Sequence, residues 1–532
     1  MKKKLLAMLL CTALGVSVLS GCGSATEGGE ETGAQESTSV EGNVLYHAYA
    51  SLPYVTLDPS SENSNGVMIL KNVYETLSYY NDETGEVEPA LATSWTSNED
   101  GTEWVFELRD DVTFHDGTQM TAKSVVDSIN RTMEIGQGAA YIWDSVEKVE
   151  ATGDYQVTFT CSYSASIDLI ASAAYAAYIM SEEAAAQDSD WFNAGNDGGS
   201  GPYTIAQATG DTCVLKAYAD YRDGWQDNQY QNVIVREVSE SSARRQLLET
   251  GEAQISSGFS STDLEALRAE TDKVNIYEAK TFINVTLCLN SEADYMDNAD
   301  FRRALSYAFP YEETVNNVLG GTGVQSHGMI PSGLWGHDDT MFQYNFDLEK
   351  AQEYLDKSGV DVSQGITLDF TYPTGDDSYA TFAQLWQSNL KKLGIDLEIN
   401  AMEWDAQWDK AKNTEPNDRQ DILCFMWWPD YADPSSWFIS MVHSEDTINY
   451  GFAYMNDPEI DALIDDAQIQ TASNRDAAEQ DYIEIQKKLV DDANFIFPYD
   501  LTTVYALSPA VENVKENPAY PSAIDYYKVT MK

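Results

Sequence analysis

Two hydrophobic periods alternate along this chain, and their interleaving limits its architecture more than any other feature. Trp104, Phe106 and Leu108 alternate, Asp110-Asp111 breaks the run, and Val112 and Phe114 resume it. Tyr155, Val157, Phe159 and Cys161 alternate after a turn at Gly153-Asp154, and Ile366, Leu368 and Phe370 repeat the pattern. A period of two buries one face of a strand. Between these runs the spacing becomes helical. Thr121 stands as cap to a stripe of Val125, Val126, Ile129 and Met133. Asp347 opens a helix carrying Leu348, Ala351 and Leu355, stopped by Gly359. Phe382, Leu385, Trp386 and Leu393 close at Gly394 and feed a strand of Ile395, Leu397 and Ile399. Pro458 takes a first-turn position before Ile460, Leu463, Ile464 and Ala467, and Tyr482, Ile485 and Leu489 mark the last strong helix. No repeat of fixed period is visible. The chain reads as α/β, with material for two lobes.

At 532 residues the length suits about three compact units of roughly 150 residues each. A hydrophobic content of 43% and an aromatic content of 11% supply large cores and exclude global disorder. The net charge is −56, from 31 Lys+Arg against 87 Asp+Glu. Such a surface repels phosphate backbones, which argues against nucleic acid as a partner. It also favours cationic or zwitterionic ligands over polyanions.

The N-terminus carries an address. Lys2, Lys3 and Lys4 precede an apolar run from Leu5 to Leu19, which is 15 residues and too short to span a bilayer. Leu19-Ser20-Gly21-Cys22 resembles a bacterial lipobox, so residues 1–21 are expected to be a signal peptide and Cys22 the lipid attachment point. Residues 22–43 form a Gly/Ser/Thr/Glu-rich linker of about 25 Å root-mean-square reach. No second apolar stretch of about 20 residues follows.

Four further cysteines, Cys161, Cys213, Cys288 and Cys424, are widely spaced and lack CxxC pairing, so metal-site spacing is absent and buried thiols are expected. Three disulfide pairings remain open. The five histidines are His47, His115, His327, His337 and His443. His327 and His337 flank the Met329–Trp335 loop and read as surface groups rather than metal ligands. No GxSxG, HExxH or Cys-His arrangement occurs. With 87 acids, a hydrolytic carboxylate pair carries no information. No enzyme, cofactor or metal is expected.

Seven segments, taken in order, are similar to one family. Leu57-Asp58-Pro59 and Tyr74-Glu75-Thr76-Leu77 come first, then Glu88-Pro89-Ala90-Leu91-Ala92-Thr93-Ser94-Trp95. Trp104 to Thr121 (WVFELRDDVTFHDGTQMT) follows, then Gly199-Ser200-Gly201-Pro202-Tyr203. Phe301 to Ala308 and Trp427-Trp428-Pro429-Asp430-Tyr431-Ala432-Asp433-Pro434 complete the set. Across roughly 45–530 the chain resembles the extracellular solute-binding proteins of ABC importers, in the oligopeptide/dipeptide/nickel-binding family. That resemblance implies a two-lobed, type II periplasmic-binding-protein-like α/β fold with two hinge strands. It implies lobe I over 44–282 with an inserted subdomain at about 61–198, lobe II over 283–500, and a return to lobe I over 501–532. The crossings fall near Phe282–Leu289 and Asn494–Asp500. In the family signature His115 and Asp116 belong to a structural turn.

The resemblance also implies a ligand held in the interlobe cleft, a peptide first. In peptide-binding members the acid at the position of Asp430 pairs with the ligand's α-ammonium. Trp427, Tyr431 and Trp404 correspond to aromatic lining, with Trp335 a further pocket candidate. Dipeptide binders carry an arginine in the loop before the 379–393 helix, whereas Tyr372 to Asp377 here holds no base. Oligopeptide binders can carry one six residues before the acid, where this chain has Cys424. Fixed capture of a ligand carboxylate is therefore not expected. The implied partners are permease subunits and, through them, ATPase subunits, for a lipid-anchored monomer on the extracellular face of the membrane (periplasmic if an outer membrane exists). A nickel or other metal chelate, an oligosaccharide, and a signalling or chaperone role on the same fold are the alternatives.

Overall fold

The computed structural model describes residues 43–375, 377–445 and 447–532. The expected signal peptide, Cys22 and nearly all of the linker lie outside the described residues. An 11-stranded sheet is the spine of the rest. From one edge its order is Ile395–Met402, Ile366–Pro373, Ile422–Trp427, Asn275–Leu289, Phe495–Leu507, Ile255–Ser257, Val44–Tyr49, Asn232–Glu237, Thr212–Ala217 and Tyr203–Thr209. Gly323–Val324 pairs separately with Phe495–Leu507.

The two long strands are each used twice. Residues 275–280 pair with 502–507, the register shifts between Lys280 and Asn284, and 284–288 then pair with 495–500. Before the break, Tyr505–Leu507 also pairs with Ile255–Ser257. After it, Asn284–Leu289 pairs with Ile422–Trp427. Two half-sheets thus share two strands, and each half carries its own core. One contains Phe301, Phe382, Trp386 and Leu390. The other contains Leu45, Tyr74, Leu215, Val233 and Tyr505. Each fully buried large apolar side chain of this kind stabilises its lobe by about 1.5–3 kcal/mol. This is the two-lobed arrangement the segment pattern implied.

A separate four-stranded sheet runs in the order Ala92–Ser97, Glu103–Leu108, Gln156–Cys161, Val146–Gly153. Its period-two residues Trp104, Phe106, Val157 and Phe159 all point into a core. That core also includes Trp437, Phe438 and Tyr482 from the far half of the chain, so the extra sheet packs across to the other lobe.

Local chemistry explains the helix ends. Asp347 accepts the N–H groups of Glu349 and Lys350 at 3.0 Å each, and Gly359 stops the helix Leu348–Ser358 with φ of 68°. Asp457 caps Pro458–Thr471 in the same way. The Gly199-Ser200-Gly201 turn lies against the backbone of Val73. A Cβ on Gly199 would come within 2.0 Å of the Val73 carbonyl oxygen. His115 is structural, as expected: its Nε2–H donates to Gly201 O at 2.8 Å and its Nδ1 meets Asp197.

The four cysteines are buried free thiols. Burial raises Cys161 to about 11 and Cys213 to about 12, so both stay protonated. The two loop histidines are not surface groups. His337 is 9% exposed, its Nδ1–H donates to Ile330 O at 2.7 Å, and its ring lies 6.0 Å from that of His327. The cause is a loop pinned from beneath. Gln486 Oε1 accepts the Ile330 N–H at 3.0 Å and Asp500 accepts the Ser332 N–H at 2.9 Å. Among the described residues no group of three or more His, Cys, Asp or Glu is placed to hold a metal ion, and no helix is long and apolar enough to cross a membrane.

Candidate functional site

Strand Ile422–Trp427 ends just before the loop that lines the cavity with Asp430 and Tyr431, and that loop is fastened at several points. The Trp335 indole N–H donates to Ala432 O at 2.9 Å, and that of Trp427 donates to Ser436 O at 3.1 Å. Asp433 Oδ1 accepts the Ser435 N–H at 2.7 Å where helix Ser435–Met441 begins. These contacts fix both ends of a short turn and leave the Asp430 carboxylate projecting from it.

That carboxylate lines a cavity of about 160 Å³. One wall comes from residues 141–170, including Tyr141, Tyr163 and Ser166. The other comes from the fastened loop, its helix and the end of Pro458–Thr471, including Tyr431, Ser436 and Gln468. The walls touch. Tyr141 Oη–H donates to Asp430 Oδ1 at 2.6 Å across 289 residues of sequence. Arg475 Nη2 donates to both oxygens of Asp168, at 2.8 and 2.7 Å. Ser164 Oγ–H donates to Ile469 O at 3.4 Å.

Burial pushes the Asp430 carboxyl up to about 6, and the Tyr141 hydrogen bond opposes that rise. Among the described residues, no lysine, arginine or histidine lines the cavity. Ser436 Oγ, on a residue 8% exposed, has no hydrogen-bond partner among the described residues. A half-buried carboxylate with no cation lining its cavity, and a buried hydroxyl with no partner among the described residues, are both costly to leave uncompensated.

Asp430 and Tyr431, two of the expected ligand-binding residues, are among the residues lining the cavity. Trp427, Trp404 and Trp335 are not among the wall residues. Trp404 is 43% exposed and stacks on Trp408 at 4.2 Å. Trp408 meets Tyr450 at 5.5 Å, and Tyr450 meets Trp427 at 5.2 Å, so an aromatic row leads to the fastened loop. Trp335 braces that loop through Ala432. Sequence reasoning missed Tyr141, Ser436, Asp168 and Arg475. No motif marks them, and only the folded chain brings them together.

The chain matches the family described as bacterial extracellular solute-binding proteins, family 5 Middle, over residues 86–449. It is 32% identical over 482 residues to the probable D,D-dipeptide-binding periplasmic protein DdpA of Escherichia coli (strain K12), covering 87% of this chain and 90% of that protein. It is 25% identical over 402 residues to the dipeptide-binding protein of the same organism, covering 69% of this chain and 73% of that protein. Among solved structures it resembles HbpA2 from Haemophilus parasuis, with a TM-score of 0.81 and 21% identity over 92% of this chain and 100% of that one. It also resembles the periplasmic binding protein DppA from Helicobacter pylori in complex with the peptide STSA, with a TM-score of 0.73 and 22% identity over 92% and 98%. The sequence relatives cover 69–87% of the chain, and the solved structures share its fold. The chain therefore belongs to the bacterial extracellular solute-binding proteins of family 5, the capture components of ABC importers.

Proposed function

We propose that this protein captures a peptide between its lobes by accepting the peptide's α-ammonium at Asp430, and delivers it to an importer permease without turning it over. The observation that carries this reading is the carboxylate itself, raised to about 6 by burial and matched by no base in its cavity. An ammonium supplies the missing charge and displaces or joins the Tyr141 hydroxyl. The name of the Escherichia coli D,D-dipeptide relative and the peptide complex of the Helicobacter pylori neighbour support the ligand class. The lobes run over 44–282, 283–500 and 501–532, with the insertion at about 61–198 and the hinge at the shared strands. Cys22 carries the lipid that tethers the protein outside the cytoplasmic membrane. Trp427 and Tyr431 flank the bound N-terminus. Trp404 and Trp335 act at one remove, through the aromatic row and the loop. The ligand carboxylate goes unread, since the cavity offers it no cation.

The test is thermal-shift screening against tripeptide pools in free-acid, C-terminally amidated and N-acetylated forms, beside nickel chelates and oligosaccharides. Free acids and amides should both raise the melting temperature by mass action, and N-acetylated pools should not. Equal shifts from N-acetylated pools, or silence across all peptides, would end the reading.

A further inference from the structure

A second cavity, of about 360 Å³, opens beside the C-terminal segment and shares no residue with the one at Asp430. That volume falls within the roughly 300–1,000 Å³ usual for small-molecule sites. Its charges come from three places. Lys71 lies on the helix Val67–Val73, Asp82, Glu83 and Glu88 on the hairpin of Ser78–Asn81 and Glu86–Pro89, and Lys515, Asp525 and Lys528 on the C-terminal segment. Most of them pair off. Lys515 Nζ lies 3.0 Å from Asp82 and 2.9 Å from Glu83, and Lys528 Nζ lies 3.0 Å from Asp525. Two charges are left over. Among the described residues Lys71 has no hydrogen bond or ion pair from its ammonium. Its Nζ rests on ring faces instead, 4.2 Å from the centroid of Tyr520 and 5.3 Å from that of Tyr79. Those two rings stack with centroids 5.6 Å apart. Glu88 has no cation among the described residues and accepts one hydrogen bond, from the Asn81 amide at 2.7 Å.

The leftover charges are of opposite sign and neighbour the same ring. Tyr79 and Glu88 are cross-strand partners, which puts their Cβ atoms about 5 Å apart on one face of the hairpin. The Tyr79 ring lies under the Lys71 ammonium. Burial pulls the Lys71 amine down to about 8, Asp525 and Glu75 counter that shift, and Lys528 adds to it. The ammonium is thus short of negative charge, and a carboxylate placed on it relieves the cost. An anion alone would leave Glu88 uncompensated, and a cation alone would leave Lys71 so. We propose that this cavity is a second ligand site, taking a free α-amino acid as its zwitterion, with the carboxylate on Lys71 and the ammonium on Glu88. Bound there, the amino acid joins the helix to the hairpin. The site stands apart from the peptide reading and needs neither Asp430 nor movement of the lobes.

The test is equilibrium dialysis of the full chain against radiolabelled glycine and leucine, with Asp430→Asn as the background that silences the capture cavity. That background should retain both amino acids saturably, near one equivalent, because the site reads their shared charges. Adding Lys71→Gln or Glu88→Gln should weaken retention about tenfold or more. Unlabelled N-acetylglycine and glycinamide, each keeping one of the two charges, should displace the label poorly. Absence of saturable retention in the Asp430→Asn chain, or retention unchanged by either added substitution, would overturn the proposal. So would N-acetylglycine competing as well as glycine, which would mark a site for anions only. Glu88 lies on a partly exposed hairpin, so Glu88→Gln keeps the proposal falsifiable even if Lys71→Gln folds poorly. Tripeptides held by wild type alone, with no amino acid retained by Asp430→Asn, would sink this site and leave the peptide reading standing.

Discussion

Among the described residues, Asp430 has one hydrogen-bond partner on the opposite cavity wall, the hydroxyl of Tyr141, and that hydroxyl brings no charge. Asp430→Asn should therefore weaken peptide binding by about 2–5 kcal/mol, read by titration calorimetry. The ligand-free melting temperature should stay level or rise, since a desolvated charge is removed. The sign of the pH dependence follows from burial. In the ligand-free fold the group's pKa is raised from 3.8 to about 6. Its stabilising contribution is fully present below 3.8 and is lost as pH rises through 6. An incoming ammonium favours the charged form, so affinity should strengthen with pH across that window, by at most about tenfold per unit, and level off above it. Tyr141→Phe removes a hydrogen bond that favours the carboxylate, so the midpoint of that profile should move to higher pH.

At the scale of elements, what was legible in the sequence is what short-range chemistry encodes. The helix begun by Asp347 and ended by Gly359 was readable because a capping acid, an apolar stripe and a glycine stand at fixed spacings. Asp347→Ala should lower stability by about 1 kcal/mol in urea denaturation. The Gly199 turn was readable as a pattern, but its reason is a close approach to Val73, which is far away in the chain. Gly199→Ala should destabilise by about 1–3 kcal/mol in the same assay, because backbone rather than a flexible side chain must give way. His327 and His337 were misread as surface groups because nothing local announces Gln486 and Asp500 beneath their loop. The Trp335 and Trp404 positions were visible as aromatics, but whether an indole lines a cavity or braces a loop depends on contacts across the fold.

For the whole molecule, the α/β class and two lobes were legible because they follow from element types and from segments in a recognisable order. The second wall of the site was not. Tyr141 and Asp430 are 289 residues apart, and Asp168 and Arg475 are 307 apart. No period or cap spans such distances; the walls meet through the core that joins Phe106 and Phe159 to Trp437 and Tyr482, and through the contacts of Tyr141 with Asp430 and Arg475 with Asp168. The central claim is that a ligand's positive end neutralises Asp430 inside the closed cleft. The most direct measurement is calorimetric proton release at pH 5.5, using two buffers of different ionisation enthalpy and a tripeptide the protein retains. The wild-type chain should release most of one proton per peptide bound, and Asp430→Asn should release close to none and bind far more weakly. Equal affinity and equal proton release in the two proteins would contradict the account.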